Sequence, residues 1–330
     1  MKKTFRRFAI LSLAVLMIAA SVLFTGCSKK KTIIIYTSGE DFRIEYMQQR
    51  MKEQFPNYEV VFDYKSSGDH AALLKSEGKN TAAHISHDIE YGYAKELTDL
   101  GIFAEVKDYD FSIYTEDAAV STHYTPELRN GGAIILNMDV IEEKGLAIPT
   151  SYEDLLDPQY KGLISMPSPK ASGTGYMFLL SLVNAWGEEE AFNYFDALSE
   201  NILSFTSSGS GPVNALVNKE VAIGLGMTSQ AVQKISEGEN LKVIYFEEGS
   251  PYSLYGQAMI AGKETDPAVV EVFNFLSTTL TEEMCERFYP EKIFKDKDFV
   301  VEHFPTNITY ADMSNNTPER KADLLSKWTH

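Results

Sequence analysis

The chain has 330 residues, 44% hydrophobic and 23% charged, an ordinary globular composition that excludes intrinsic disorder and predicts two lobes or one large domain. Acidic residues outnumber Lys and Arg by 47 to 30. The resulting net charge of −17 repels phosphate backbones and argues against nucleic-acid binding. Cys27 and Cys285 are the two cysteines, too few for a disulfide framework or a paired-cysteine zinc site.

The N-terminus has the pattern of a secretory signal. Four basic residues open it: Lys2, Lys3, Arg6 and Arg7. An apolar run from Phe8 to Phe24 follows and ends just before Cys27, which resembles a bacterial lipobox, although Phe24 stands where that motif usually has Leu. We expect residues 1–27 to be a lipoprotein signal peptide and residues 28–31 a short tether, with a lipid on Cys27 holding the protein at the membrane on its extracytoplasmic side, at the cell surface or in the periplasm. The alternative is an ordinary signal peptide with an incidental cysteine.

Strands and helices alternate in the first third of the body. Short apolar, β-branched or aromatic runs predict strands at Thr32–Tyr36, Tyr58–Tyr64 and His84–Ile89. Helical spacing of apolar residues predicts helices at Asp41–Phe55, His70–Glu77 and Tyr93–Leu100. This alternation indicates an α/β lobe with a largely parallel sheet.

The remaining chain continues with mixed elements. We predict strands at Gly131–Asn137, Gly162–Met166, Val221–Leu225, Leu241–Phe246 and Ala258–Ile260. We predict helices at Thr174–Trp186, Glu188–Leu198, Pro212–Val217 and Thr228–Glu237. Ser151 and Asp154 have the spacing of a capping box for a short helix. The chain beyond Pro267 is predicted to be mostly helical.

The order of several segments resembles a known family. The most specific part is Tyr152–Gly162 followed by Ser172–Gly175, and weaker support comes from Ile33–Gly39, Asn137–Val140, Lys144–Gly145 and Pro149. Together they resemble the extracellular solute-binding proteins of ABC importers, in the group that binds ferric ion, thiamine, phosphonates or sugar phosphates. The resemblance spans most of residues 32–295.

The resemblance implies an α/β fold of the type 2 periplasmic-binding-protein kind, in which crossing strands form a hinge and the ligand binds in the cleft between two lobes. We expect the crossings near Gly131–Asn137 and Tyr255–Ile260. Lobe 1 then covers residues 32–130, lobe 2 covers 131–255, and the chain returns to lobe 1 over 256–330, with the lobe of residues 291–330 left open. Such a protein is expected to be a monomer that closes around its solute and delivers it to an ABC permease and its ATPase.

Two loops of small residues precede helices in the second lobe and are candidates for holding an anion. The candidate residues are Ser172, Gly173, Thr174, Gly175, Ser207, Ser208, Gly209 and Ser210. Their hydroxyls, accessible backbone N–H groups and the positive end of the following helix suit a phosphate-like group. The alternative for either loop is a capped helix start with a glycine turn.

In the first lobe, candidates follow the ends of strands, where ligands gather in open α/β sheets. These residues are Ser38, Gly39, Glu40, Ser67 and Glu90. We expect Glu40 to take a ligand cation, although an acid in a first helical turn also complements the helix dipole. Thr228 and Tyr255 complete the set, and packing between the lobes is the alternative role for Tyr255.

The expected ligand is a small anionic solute, either a phosphonate such as 2-aminoethylphosphonate or a sugar phosphate. Ferric ion and thiamine remain alternatives. In the family, ferric binders use a tyrosine pair that would fall near Gly224–Ser229, where this chain has no tyrosine, and a His where it has Glu40. Tyr252 and Tyr255 could supply phenolate ligands instead, or stack on a thiamine-like ring.

The sequence contains no recognised catalytic motif. Ser172 has no evident base, and no zinc-protease, phosphate-loop or nucleophile-elbow pattern is present. His84 and His87 face opposite sides of a predicted strand, so we expect no metal site there. The prediction is a binding protein without enzymatic activity or cofactor, and the rival class is a surface enzyme acting on phosphorylated metabolites.

Overall fold

The computed structural model describes residues 30–330. The predicted signal peptide, Cys27 and residues 28 and 29 of the tether lie outside this range. The strands are β1 (Lys31–Thr37), β2 (Tyr58–Tyr64), β3 (Ile85–Glu90), β4 (Thr125–Asn137), β5 (Ile164–Pro167), β6 (Ile202–Thr206), β7 (Ile223–Met227), β8 (Leu241–Ile244) and β9 (Tyr252–Met259). Each predicted strand is therefore confirmed as a strand. The limits of Tyr58–Tyr64 are as predicted, whereas β4 and β9 begin well before the predicted residues Gly131 and Ala258.

The helices alternate with these strands along much of the chain. They are α1 (Asp41–Gln54), α2 (Ser67–Glu77), α3 (Tyr91–Asp99), α4 (Met138–Lys144), α5 (Gly173–Trp186), α6 (Glu188–Ser199), α7 (Gly211–Val217), α8 (Thr228–Ser236), α9 (Pro267–Phe275), α10 (Thr281–Arg287) and α11 (Pro318–Lys327), with a π-helical turn at Leu276–Leu280. Ser151 accepts a hydrogen bond from the Asp154 N–H, as its spacing predicted, at the start of a short 3₁₀ helix. Within residues 30–330 we find no helix with the length and hydropathy that a membrane crossing requires.

The helical prediction for the chain beyond Pro267 is wrong for residues 288–317, which form no helix. Pro290 and Pro305 lie in this stretch, and proline cannot donate the backbone hydrogen bond that a helix interior needs. His303, Asn307 and Asn315 adopt left-handed backbone angles, which end regular structure. The stretch thus runs as an irregular segment between α10 and α11.

Strand β4 joins the two halves of the sheet system. The strand order is β2-β1-β3-β9-β4-β7-β5-β6, with β8 also paired to β4. Residues 125–131 of β4 pair with β9, whereas Gly132–Leu136 pair with β7. The chain therefore passes from one sheet to the other at Gly131 and Gly132.

Hydrophobic side chains form separate cores on the two sides of this crossing. In one core, side chains of β1, α1 and α9 pack together, and Ile33, Met47 and Phe273 are fully buried. In the other core, side chains of β4, α5 and α6 pack together, and Phe178 and Phe195 are almost without exposure. The fold is thus two α/β lobes joined by crossing strands, which confirms the predicted class.

The C-terminal helix α11 packs on the second lobe. Leu324 and Trp328 are buried in the same core as α5 and α6. Arg320 and Lys327 also pair with Glu188 at 2.8 and 2.7 Å. The end of the chain, whose lobe the sequence left open, therefore lies against the second lobe.

Candidate functional site

A cleft of about 640 Å³ lies between the lobes, where the carboxyl ends of strands from both sheets face one another. Ten of the predicted site residues line it: Ser38, Glu40, Ser67, Ser172, Thr174, Ser207, Ser208, Gly209, Ser210 and Tyr255. Residues far apart in sequence thus meet around one cavity of a size that suits a small solute.

Two predicted polar residues lie away from the cleft wall. Glu90 caps α3 by accepting from the Gly92 N–H at 2.9 Å, and its other oxygen lies 2.6 Å from the Lys321 ammonium. Thr228 is fully buried, with its hydroxyl 3.2 Å from that of Tyr245. Both polar groups already have partners inside the protein, so the structure places them in supporting positions.

Three predicted glycines lie behind the wall and allow close packing. A Cβ on Gly175 would lie 2.4 Å from the Pro167 carbonyl oxygen, so only glycine lets α5 approach the end of β5. A Cβ on Gly173 would lie 3.0 Å from the Tyr255 hydroxyl. Gly39 donates its N–H to the Thr37 hydroxyl. These residues shape the site without lining it.

The second lobe contributes a wall of hydroxyl groups, which we call the hydroxyl wall: Ser172, Thr174, Ser207, Ser208 and Ser210. Ser172 is the N-cap of α5 and accepts from the Thr174 N–H at 3.2 Å. A Cβ on Gly209 would lie 2.4 Å from Thr174 Oγ1, so the serine-rich loop rests directly on the first turn of α5. The positive end of a 14-residue helix and several hydroxyls therefore converge on one patch.

The first lobe contributes the opposite chemistry. Its carboxylates at the cleft, which we call the acidic wall, are Glu40, Asp41, Glu45 and Asp88. Behind them Arg43 is fully buried and donates to Glu40, to Asp88 at 2.7 Å and to Glu127 at 2.9 Å. Glu127 also contacts His87 Nε2 at 2.9 Å. One guanidinium faces three carboxylates, so this part of the first lobe keeps an excess of negative charge.

Asp88 combines an unusual backbone with an unusual carboxyl group. Its φ of 57° lies in the left-handed region, which costs energy for a residue other than glycine. Burial raises the pKa of Asp88 to about 6, against the opposing effect of Arg43. A carboxylate held in this way at a cavity is a typical ligand-binding group.

Sequence reasoning missed part of the cleft. Asp41 and Ser66, which adjoin predicted residues, also line it, and the remaining lining residues are Phe42, Glu45, Tyr64, Asp88, Asn130, Ala171, Asn214, Met227, Gln230 and Lys234. Asp88 lay inside a predicted strand, where no signal marked the left-handed turn that exposes it to the cleft. Spacing was a usable signal for Gln230 and Lys234, which are four residues apart on the cleft-facing side of α8.

The cleft offers binding groups but no arrangement typical of catalysis. Ser172 Oγ is engaged by the Thr174 N–H, and within residues 30–330 no group of three or more His, Cys, Asp or Glu side chains is placed to hold a metal. Lys234 is the one basic side chain among the described residues that line the cleft, and it pairs with Glu237 at 2.7 Å. These features define a two-lobed binding protein whose cavity has one acidic and one hydroxyl-rich wall.

The family follows from comparison with known sequences. A family model described as bacterial extracellular solute-binding protein matches residues 92–317, more than half of the chain. The chain therefore belongs to this family, as the resemblance of its segments predicted. It is a solute-binding protein of the ABC-transporter type, acting outside the cytoplasm and delivering a small solute to a permease.

Individual relatives are distant. An uncharacterized protein of Haemophilus influenzae is 26% identical over 262 residues, covering 76% of this chain and 75% of that protein. A Salmonella typhimurium protein, provisionally named a 2-aminoethylphosphonate-binding periplasmic protein, is 26% identical over 124 residues, or 37% of this chain and 35% of that protein.

Solved structures show the same fold. The periplasmic binding protein AfuA of Actinobacillus pleuropneumoniae, solved with exogenous fructose-6-phosphate bound, superposes with a TM-score of 0.80. The sequences are 20% identical, and the match covers 91% of this chain and 98% of AfuA. This likeness confirms the type 2 periplasmic-binding-protein fold.

Proposed function

We propose that the cleft captures a small zwitterion carrying a phosphonate or phosphate at one end and an amine at the other, such as 2-aminoethylphosphonate. The observation that carries this proposal is the opposition of the two walls. The acidic wall, with Glu40 and Asp88, favours a cation, and the hydroxyl wall, with Ser172 and Thr174, favours an anion. A ligand with both charges matches both walls at once.

The anionic end of the ligand is assigned to the hydroxyl wall. Backbone N–H groups at the start of α5 and the hydroxyls of Thr174 and Ser208 can donate to phosphonate oxygens. No arginine lines the described cleft, so this wall binds the anion through hydrogen bonds and the helix dipole rather than through a guanidinium. Closure of the lobes would shield these hydrogen bonds from water and strengthen them.

The amine is assigned to the acidic wall. Glu40 accepts from Arg43 and from the Tyr289 hydroxyl at 2.8 Å, which fixes its carboxylate at the cavity. Asp88 beside it is held by Arg43 at 2.7 Å. Glu40 and Asp88 together carry more negative charge than Arg43 neutralises. An ammonium group bound beside them would therefore neutralise the remaining negative charge.

Among the candidate ligands we expect a sugar phosphate to bind less tightly than the zwitterion, because it brings no cation to Glu40 and Asp88. Ferric ion is also a weaker candidate ligand than the zwitterion. Burial and the nearby Asp88 and Glu90 raise the pKa of Tyr255 well above its ordinary value, so this phenol resists becoming the phenolate that ferric ion prefers.

Calorimetry on the soluble fragment beginning at Ser28 tests the proposal. We expect 2-aminoethylphosphonate to bind at least about tenfold more tightly than ethylphosphonate, which lacks the amine, or ethanolamine, which lacks the phosphonate. Glu40→Gln and Thr174→Val should each weaken binding. The exposed Glu302 provides the matched control, Glu302→Gln. Tighter binding of fructose-6-phosphate than of 2-aminoethylphosphonate would overturn the zwitterion assignment.

Attachment to the membrane is part of the same proposal. We infer that Cys27 carries the lipid and that the lobes work as a monomer on a short tether. Expression of the full chain with Cys27→Ala should release the protein from the membrane fraction, whereas Cys285→Ala, at a buried core position, should not. Retention of the Cys27→Ala protein in membranes would contradict lipid anchoring at this residue.

A further inference from the structure

The C-terminal helix α11 lies against both lobes, because it also approaches α3 of the first lobe. Leu324 and Leu325 pack in the core of the second lobe, and Arg320 and Lys327 pair with Glu188 of that lobe. Lys321 instead points to the first lobe, where its ammonium lies 2.6 Å from Glu90 Oε2. Both side chains are almost without exposure, at 5% for Lys321 and 1% for Glu90.

Aromatic rings from both lobes enclose the Lys321 ammonium. The ammonium lies 3.5 Å from the ring centre of Tyr93, on α3 of the first lobe. It lies 4.6 Å from the ring centre of Tyr176, on α5 of the second lobe. Electron-rich ring faces attract a cation, more strongly when water is excluded. One charged group thus contacts both lobes at the same time.

Glu90 is held in place for this contact. Its other oxygen accepts from the Gly92 N–H at 2.9 Å and from Asn316 Nδ2 at 3.2 Å, just before α11. The site also adjoins the ligand cleft, since a Cβ on Gly173 would lie 3.9 Å from Glu90 Cβ. Gly173 begins α5 and stands between two residues of the hydroxyl wall.

We propose that Lys321 is a positioning residue that latches the lobes in their closed arrangement. Moving α3 away from α5 would pull the ammonium from Glu90 and Tyr93 and would leave a buried charge without its partner, which is costly. The latch therefore stabilises the closed form and slows ligand release. The ligand-release part of this inference rests on the proposed function, whereas the latch itself does not.

Double electron–electron resonance between two spin labels can measure the distance between the lobes. On the fragment beginning at Ser28, which lacks Cys27, spin labels are placed on Lys79→Cys in the first lobe and Glu200→Cys in the second. They report opening because both positions are exposed and the native Cys285 is buried. The test variant combines Glu90→Gln with Lys321→Met, so that neither charge is left alone. Lys327→Met, on the same helix but paired only within the second lobe and its own helix, is the matched control.

Without ligand, we expect the double variant to lose the short-distance population that the wild type and Lys327→Met show. With 2-aminoethylphosphonate as the probe, its dissociation rate should rise about tenfold with little change in association rate. Lys321→Arg alone, which keeps the cation beside Glu90, should retain both wild-type readouts. Unchanged distances in the double variant would overturn the latch, even if its melting temperature falls. If the probe does not bind the wild type, the proposed function fails, but the ligand-free distances still decide the latch.

Discussion

Nη2 of Arg43 lies 2.7 Å from Oδ1 of Asp88, and this contact joins the interior of the first lobe to the floor of the ligand cleft. Arg43 is fully buried, and it also donates to Glu40 and Glu127. The same guanidinium therefore stabilises the lobe and orients two carboxylates at the cavity. We therefore expect both the stability of the first lobe and ligand binding to depend on this side chain.

Replacing Arg43 should destabilise the protein strongly. Arg43→Met leaves Glu40, Asp88 and Glu127 crowded together without their cation. Removing one partner of a buried charge network typically costs about 3–5 kcal/mol of unfolding free energy. Urea denaturation of the fragment beginning at Ser28 measures the change.

The matched control is Arg50→Met on the same helix. Arg50 pairs with Glu53 and Glu283, but its side chain is 27% exposed, so water can replace its partners. We expect this variant to lose about 1 kcal/mol or less. Equal losses for Arg43→Met and Arg50→Met would show that the buried network is not a main source of stability.

Ligand affinity should fall as the pH drops below the pKa of Asp88. Burial raises that pKa to about 6, so the carboxyl is mostly ionised at pH 7 and mostly protonated at pH 5. A protonated Asp88 does not attract the ligand amine, and the dissociation constant should rise about tenfold over this interval. Calorimetry at both pH values measures it.

The control for this pH effect is Asp88→Asn, because asparagine does not titrate between pH 5 and pH 7. The ligand's own phosphonate also titrates in this range, and that contribution is the same for both proteins. The ratio of their affinities should therefore change with pH. A constant ratio from pH 5 to pH 7 would place the amine away from Asp88.

Much of the fold was predictable because its signals are local. The apolar run at Tyr58–Tyr64 and the apolar spacing over Asp41–Phe55 both gave elements with nearly the observed limits. The extension of β4 back to Thr125 was not predictable, because Pro126, Glu127 and Arg129 read as surface residues. Their partners, such as Arg43 for Glu127, come from distant parts of the chain.

The candidate site was predictable to the extent that glycine and serine mark helix starts. Ser172 and Ser208 stood out for this reason, and both line the cleft. The pairing of Glu90 was not predictable, because its partner Lys321 is 231 positions away and no local pattern shows that an acid is already paired. Pairing of charges across a fold is a property of the tertiary structure alone.

Cys285 should be unreactive in the folded protein. Its side chain is fully buried beside Tyr114 and Phe294, and burial raises the pKa of its thiol well above the ordinary value. The fragment beginning at Ser28 has no other cysteine. We expect its reaction with a thiol reagent to be more than about a hundredfold slower than in urea. Lys79→Cys provides an exposed thiol for comparison, and equally fast labelling of the native thiol would reveal local opening at α10.

Glu291 lies at the point where the chain crosses between the lobes. Its carboxylate accepts from the Gly131 N–H at 3.1 Å and from the Tyr310 hydroxyl at 2.8 Å. A Cβ on Gly131 would lie only 2.6 Å from Glu291 Oε1, so strand and carboxyl group are in direct contact. Burial raises the pKa of Glu291 to about 7.

This raised pKa predicts a loss of stability with rising pH that Glu291→Gln should remove. The folded state holds the Glu291 proton more tightly than the unfolded state, so the stabilisation is complete below about pH 4 and is lost as the pH rises through 7. The loss attributable to this group is roughly 3 kcal/mol between pH 4 and pH 8. Glutamine cannot ionise; its Oε1 can accept from the Gly131 N–H while its Nε2 donates to the Tyr310 hydroxyl oxygen. The variant should therefore become the more stable protein at pH 8 while matching the wild type near pH 4. Urea denaturation at a series of pH values measures both curves. Parallel curves would mean that Glu291 stays ionised in the fold, because water or Arg129 compensates its charge.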